Sequence, residues 1–286
     1  MEKDIDREKF KEKKRAELEA LYDAVNEETL MIAEDPEKFS AYLSVQARFN
    51  RYTVTNAILL LHQFPDAQKL KTFEGWKRDG ASVKRGEKSI SILEPYSYTK
   101  ADGNTVKGFR IKKLFDISQT DLKQSPAPFF SGVSSRSLLR ALLEASPVET
   151  EAADTLDHGK DAVYDQEKQK IYIRRMLEPD DFFRAAAVSI AEAQLAEQGG
   201  SCGQEELRSR AEAAAFMLCV KYGIDPGRLR AKMPGADAQM EIKDIKAELS
   251  EVRKTFTGIA DRMDASISKQ IREKRAGRER SHHEGR

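Results

Sequence analysis

Between Lys69 and Lys113 the chain carries twelve Lys and Arg side chains against five Asp and Glu, an excess of seven positive charges on 45 residues. The whole chain holds 49 basic and 48 acidic side chains, so the remainder is net negative and the basicity is local. Phe73, Trp76, Tyr96, Tyr98 and Phe109 lie among these cations. Cations that follow phosphates, interleaved with aromatic rings that stack on bases, are the two parts of a single-strand nucleic-acid site. A duplex hides its bases, so stacking residues contribute little there except as wedges. The run Val83-Lys84-Arg85-Gly86-Glu87-Lys88 adds a glycine flanked by cations, where backbone N–H groups can approach a phosphate closely. The candidate contacts are Arg51, Trp76, Lys77, Lys84, Arg85, Lys88, Tyr96, Tyr98, Arg110 and Lys112. The alternative is that the lysines form a solvated face and Trp76 is core.

Other chemistry has little material. The four histidines are His62, His158, His282 and His283, and the two cysteines are Cys202 and Cys219. Two cysteines make no disulfide framework, which fits a reducing cytosol. Cys219, inside Ala213-Ala214-Ala215-Phe216-Met217-Leu218-Cys219-Val220, reads as a core thiol. No phosphate-binding glycine loop and no serine-nucleophile motif is present. No apolar run reaches the ~18–20 residues that cross a bilayer. The charged start, MEKDIDREKFKEKKR, lacks an apolar signal core. A cytoplasmic protein without a membrane partner is expected.

These residues must be positioned by a mixed α+β chain. Lys/Glu-rich residues 1–35, Pro36–Phe49 and Thr53–Phe64 show helical spacing of apolar positions. A short helix around Trp76 ends at Gly80. Ser89–Tyr96 alternates as a strand, and Lys107–Asp116 forms its hairpin partner across the Ala101-Asp102-Gly103-Asn104 turn. Further on, Ser137–Glu144 reads as a helix. Residues 162–165 and 170–174 read as short strands, and Asp180–Gln198 and Glu205–Tyr222 as helices. Asp225-Pro226 is expected to open one more helical segment. From Ile242 the apolar positions Ile245, Leu249, Val252, Phe256, Ile259 and Met263 keep a heptad rhythm.

The order of motifs from Phe49 to Gln119 resembles the N-terminal domain of ArdC-type antirestriction proteins. The matching points are Phe49–Tyr52, Asn56–Leu61, Pro65–Ala67, Trp76, Gly80, Val83, Lys84–Lys88 and Leu114–Gln119. The resemblance covers residues 38–122 and implies sequence-independent binding of single-stranded DNA in proteins of plasmids and conjugative elements. In that family a zinc metallopeptidase-like domain follows, with an H-E-x-x-H helix and a later glutamate as third ligand. The similar helix here, Phe182–Glu197, places Ala191, Glu192 and Leu195 on that motif, and Glu212 at the later position. Both imidazoles are missing. A catalytic zinc needs about three protein ligands, so neither metal nor other cofactor is expected. Glu192 and Glu212 are then either exposed helical glutamates or a remnant polar pair. If Glu212 is buried, it needs a donor such as Arg174 or Gln194.

The expected organisation is an N-terminal charged helix (1–37), a single-stranded-DNA-binding domain (38–122), a linker (123–135), a degenerate peptidase-like domain (136–235), a heptad helix (236–272) and a disordered basic tail (273–286). The expected function is a non-enzymatic, sequence-independent single-stranded-DNA-binding protein of a mobile element, serving antirestriction or protection of transferred DNA. An active peptidase with an unrecognised metal site is one alternative. Another is a scaffold that recruits a homodimer mate or partner protein through 242–263. Packing of that helix back on its own body competes with the second alternative.

Overall fold

A computed structural model of the chain describes residues 2–100, 102–122, 133–199, 203–227, 229, 232–235 and 240–284. In chain order the elements are α1 (Glu2–Glu34), α2 (Pro36–Arg48), α3 (Val54–Gln63), β1 (Leu70–Lys71), α4 (Phe73–Arg78), β2 (Ile90–Thr99), β3 (Thr105–Asp116), α5 (Ser135–Glu144), β4 (Glu149–Ala153), β5 (Ala162–Asp165), β6 (Lys170–Arg174), α6 (Pro179–Glu197), α7 (Gln204–Tyr222) and α8 (Ile242–Glu284). The α+β expectation holds. The chain divides into unit 1, residues 1–126 with 240–246, and unit 2, residues 127–239 with 247–286.

In unit 1, α1, α2 and α3 share an apolar core that includes Val25, Ile32, Phe39, Tyr42, Leu43, Ile58 and Leu60. The Asp35 carboxylate caps α2 by accepting from Glu37 N–H at 2.8 Å, and the Thr53 hydroxyl caps α3. Such caps replace partners that the first helical turn lacks. The buried Glu28 carboxylate on α1 accepts from Lys38 of α2 at 2.8 Å and lies 3.2 Å from His62 Nδ1 of α3. One carboxylate thereby joins all three helices.

Helix α3 then meets the sheet, whose antiparallel order is β1-β3-β2. The Asn56 carboxamide donates to Leu93 C=O at 2.9 Å and accepts from Leu93 N–H at 2.8 Å. One strand repeat away, Gln63 donates to Ser91 C=O and accepts from Ser91 N–H, both at 2.9 Å. Two amides of a helix thus satisfy backbone groups along the edge of β2 that no further strand pairs.

The buried Asp116 carboxylate, at the end of β3, accepts from the N–H groups of Gln68, Lys69 and Ser118 at 2.7–3.0 Å. Gln119 accepts from Asp116 N–H at 2.8 Å and donates to Lys88 C=O at 2.9 Å. The Leu114–Gln119 motif is therefore a clasp between β3 and the Lys84–Lys88 turn.

Unit 2 is built on a second sheet, order β4-β6-β5, in which β4 runs parallel and β5 antiparallel to β6. Helices α6 and α7 supply its core through Phe183, Ala187, Ile190, Ala191, Ala214, Met217 and Leu218. From Leu249 onward α8 packs on this body. Gln194 of α6 donates to Thr255 C=O at 2.9 Å, and Arg262 donates to Ala145 C=O at 2.8 Å. The Tyr222 hydroxyl donates to Asp264 at 2.8 Å. The seam residues Leu249, Val252, Phe256, Ile259 and Met263 are buried within the chain, so packing back on the body is the arrangement they adopt.

Several expectations change. Strands β1 and β4 have no counterpart in the sequence pattern. After Tyr222, Asp225–Gly227 forms a turn in which Gly227 N–H donates to Asp225 at 3.0 Å, and residues 228, 230 and 231 of the expected helical segment lie outside the described residues. Helix α8 runs to Glu284 through the expected disordered tail, because Lys, Arg, Glu and Ala favour helix even without a core to bury. Linker residues 123–132, Cys202 and residues 285–286 lie outside the described residues.

Candidate nucleic-acid interface and the remnant metal position

Strand register sorts the side chains of the β2–β3 ribbon. Glu94, Tyr96 and Tyr98 share one face with their partners Arg110, Gly108 and Val106, and Lys112 lies on that face opposite Ile92. Phe109 and Lys107 lie on the other face, opposite Pro95 and Ser97. The first half of β2 is buried and its second half, from Pro95, is exposed. Tyr96 and Tyr98 are 39% and 51% exposed, and their rings stack with centroids 6.2 Å apart and planes at 11°. Gly108 makes room for this pair: a Cβ there would lie 2.9 Å from the Tyr96 ring. The two rings form an exposed aromatic platform.

The cations distribute unevenly. Glu94 accepts from both Arg110 and Lys112 on the tyrosine face, and these two neighbours, Lys112 first, hold its carboxyl below the usual range. Lys84 donates its ammonium to Ser118 C=O at 2.9 Å, and its N–H to Gln119 C=O. The Lys84 side chain is thus partly committed to the turn. Arg85 and Lys88 are exposed on either side of Gly86, which has φ +89°, a conformation that glycine adopts without strain. Lys77 is exposed on α4, and Arg51 is exposed between α2 and α3.

Trp76 does not belong to this surface. It is wholly buried with Ala81 and Ile117, its indole N–H donates to Phe115 C=O at 2.8 Å, and the Lys71 ammonium sits 5.5 Å from the ring centroid. It is core, and its assignment as a stacking contact is corrected. Phe73 and Phe109, left out of the candidate contacts, are about half exposed. The signal for both is their place among lysines.

In unit 2, Ala191, Glu192 and Leu195 lie on α6 and Glu212 lies on α7. Ala191 and Leu195 are buried apolar side chains, whereas Glu192 of α6 and Glu212 of α7 share one arginine of α7. Between them lies Arg208, which donates to Glu192 at 2.9 Å and to Glu212 at 2.8 Å. Burial raises the Glu192 pKa despite the Arg208 charge. Burial works against Arg208 too, yet Glu212 and Glu192 outweigh it and raise the guanidinium pKa. The expected donors are engaged elsewhere: Arg174 with Asp161 and Gln194 with α8. Alanine and leucine offer no lone pair, and a fixed cation already bridges the two carboxylates, so these residues do not fit a divalent metal. Among the described residues no cluster of three or more His, Cys, Asp or Glu could hold one.

Residues 20–128 match the family described as the N-terminal domain of anti-restriction factor ArdC. That stretch belongs to the ArdC N-terminal domain family. The motifs at Asn56, Lys84–Lys88 and Leu114–Gln119 are thus the bonds that assemble an ArdC N-terminal domain. A Bacillus anthracis protein described as uncharacterized protein pXO2-81 is 30% identical over 88 residues, 31% of this chain. The match spans only 15% of that relative's length. Two solved structures resemble the chain more broadly. The metal-free crystal structure of the antirestriction ArdC protein from plasmid R388 is 16% identical, with a TM-score of 0.51 over 75% of this chain and 86% of that one. The Mn(II)-bound structure of that protein is 14% identical, with a TM-score of 0.50 over 74% of this chain and 85% of that one. At such identity the likeness is one of fold. Three quarters of the chain is more than unit 1 contains, so the ArdC-like fold extends into unit 2.

Proposed function

We propose that this ArdC-like protein binds single-stranded DNA without sequence preference through unit 1, in an antirestriction or DNA-protection role in the cytoplasm. The observation that carries this reading is the exposed Tyr96–Tyr98 stack over Gly108, with Arg85 and Lys88 exposed in the same unit. A sequence-tolerant site needs π-faces for bases and cations for the backbone, and hydrogen-bond readout of base edges is not required. Unit 2 acts as a non-enzymatic scaffold on a peptidase-like fold. In it the Arg208 guanidinium takes the place of a metal charge between Glu192 and Glu212.

The test is a filter-binding titration of labelled single strand against duplex of equal length, at two salt concentrations. Tighter binding of the single strand, weakening with salt, is expected. Equal affinity for both forms, or no binding at low salt, would overturn the proposal.

A further inference from the structure

We infer that a basic cleft in unit 1 is the subsite that selects one strand over a duplex, by seating backbone phosphates of single-stranded nucleic acid. This rests on the function proposed above and assigns its selectivity to a place. The cleft has a volume of about 660 Å³ and is lined by Arg51, Lys71, Arg78 and Lys112 together with Asp79 and Glu94. These side chains come from five segments: the α2–α3 loop, β1, α4 with its C-terminal cap, β2 and β3.

Charge accounting within the cleft favours an anion. Lys71 donates to Asp79, and Arg110 and Lys112 both donate to Glu94. Both carboxyls are held below the usual range, Asp79 by Lys71 and Glu94 by Lys112 and Arg110. Four cations line the cleft against these two acids, so its wall is positive whichever cations the acids engage. Two of the four, Arg51 and Arg78, carry guanidinium forks, which suit phosphate oxygens in paired hydrogen bonds.

Flexibility supplies the selectivity. The cleft is a groove open to solvent, with room for a nucleotide or two of a bare strand. A duplex is stiff and presents its phosphates on a broad cylinder, whereas a bare strand bends to follow a short groove. Position supplies continuity. Glu94 lines the cleft, and Tyr96 follows two residues along the same strand and face, about 7 Å away. A strand leaving the cleft therefore meets the tyrosine stack at once.

The experiment uses the full chain and fluorescence anisotropy with a labelled oligo-dT and a duplex of the same length, each at two salt concentrations. The combined Arg51→Ala and Arg78→Ala variant should lose ten-fold or more in single-strand affinity, with the salt slope reduced by ~1.4, or ~0.7 per phosphate contact. Duplex affinity should fall less, so the single-strand preference shrinks. Arg51→Lys with Arg78→Lys should recover most of the slope, which separates lost charge from a damaged fold. A charge-matched control in unit 2, Lys168→Ala with Arg175→Ala, should change neither. If the wild-type chain fails to bind single strands, the proposed function and this inference fall together. If the wild type binds and the alanine variant keeps its slope and its single-to-duplex ratio, the cleft assignment alone is overturned.

Discussion

Arg208 Nη1 donates to Glu192 Oε1 at 2.9 Å across the gap between α7 and α6. The bond joins a half-exposed cation to a carboxylate that is only 13% exposed. Burial raises the Glu192 pKa, so its share of stability is present below the ordinary glutamate value of about 4.3 and is lost as pH rises through the folded value. Removing the opposing charge should enlarge that loss. Arg208→Met is expected to destabilise the protein by about 1–3 kcal/mol at pH 8, below the 3–5 typical of fully buried pairs because Arg208 is partly solvated. The cost should be smaller near pH 4, and adding Glu192→Gln to the Arg208→Met variant should restore much of it. Urea unfolding at both pH values reads this, and equal losses at the two would contradict it.

Trp76 and the tyrosines should separate stability from binding. Trp76→Ala empties a fully buried site and should cost about 3–5 kcal/mol of folding free energy. Its residual folded fraction should still bind single strands. Tyr98→Ala should leave the melting temperature unchanged and cost roughly 1–3 kcal/mol of binding. Paired melting and anisotropy curves for the two variants decide the assignment. The reverse pattern would return Trp76 to the interface.

Unit 2 should need no metal. Chelation by EDTA is expected to leave the melting temperature unchanged, since an ion held only by the folded state would otherwise add to stability. Native mass spectrometry should find no stoichiometric zinc or manganese. One bound equivalent, lost together with a fall in melting temperature, would restore the peptidase alternative.

Asn56 offers a structural counterpart. Its carboxamide satisfies both the N–H and the C=O of buried Leu93. Asn56→Ala strands two buried backbone groups at ~1–3 kcal/mol each, so a loss of about 2–6 kcal/mol in urea unfolding is expected. Asn56→Asp should be damaging too, because a carboxylate cannot donate to the Leu93 carbonyl. A loss under about 0.5 kcal/mol in both variants would show that water replaces the amide.

Much of this is legible in the residue pattern where local chemistry dictates structure. Alternation over Ser89–Tyr96 and the Asp102-Gly103 turn announce the hairpin, and Gly223 ends α7 in the left-handed conformation. Strand β1 is only two residues long and is created by its pairing with Phe115 and Asp116, a non-local event. Strand β4, Glu-Thr-Glu-Ala-Ala, has only Thr150 as a strand former and is held by parallel pairing to β6. Trp76 is ambiguous in sequence because the same cations that surround a stacking residue also border the ring of a buried one. Nothing in the spacing marks Arg208 as the partner of Glu192, although its i, i+4 relation to Glu212 is visible. What the pattern lacks is the packing of α6 beside α7.

The two carboxamides of α3 also act as a ruler. Asn56 and Gln63 engage Leu93 and Ser91, backbone positions two apart, so β2 can settle on the helix only in one phase of its pleat. A one-residue slip would reverse every side chain of the ribbon. Tyr96 and Tyr98 would turn to the side now held by Phe109 and Lys107, away from Lys112. Neither amide lies near the exposed end of the ribbon. Their hold on its buried end nonetheless decides which aromatic rings and which cations share a face.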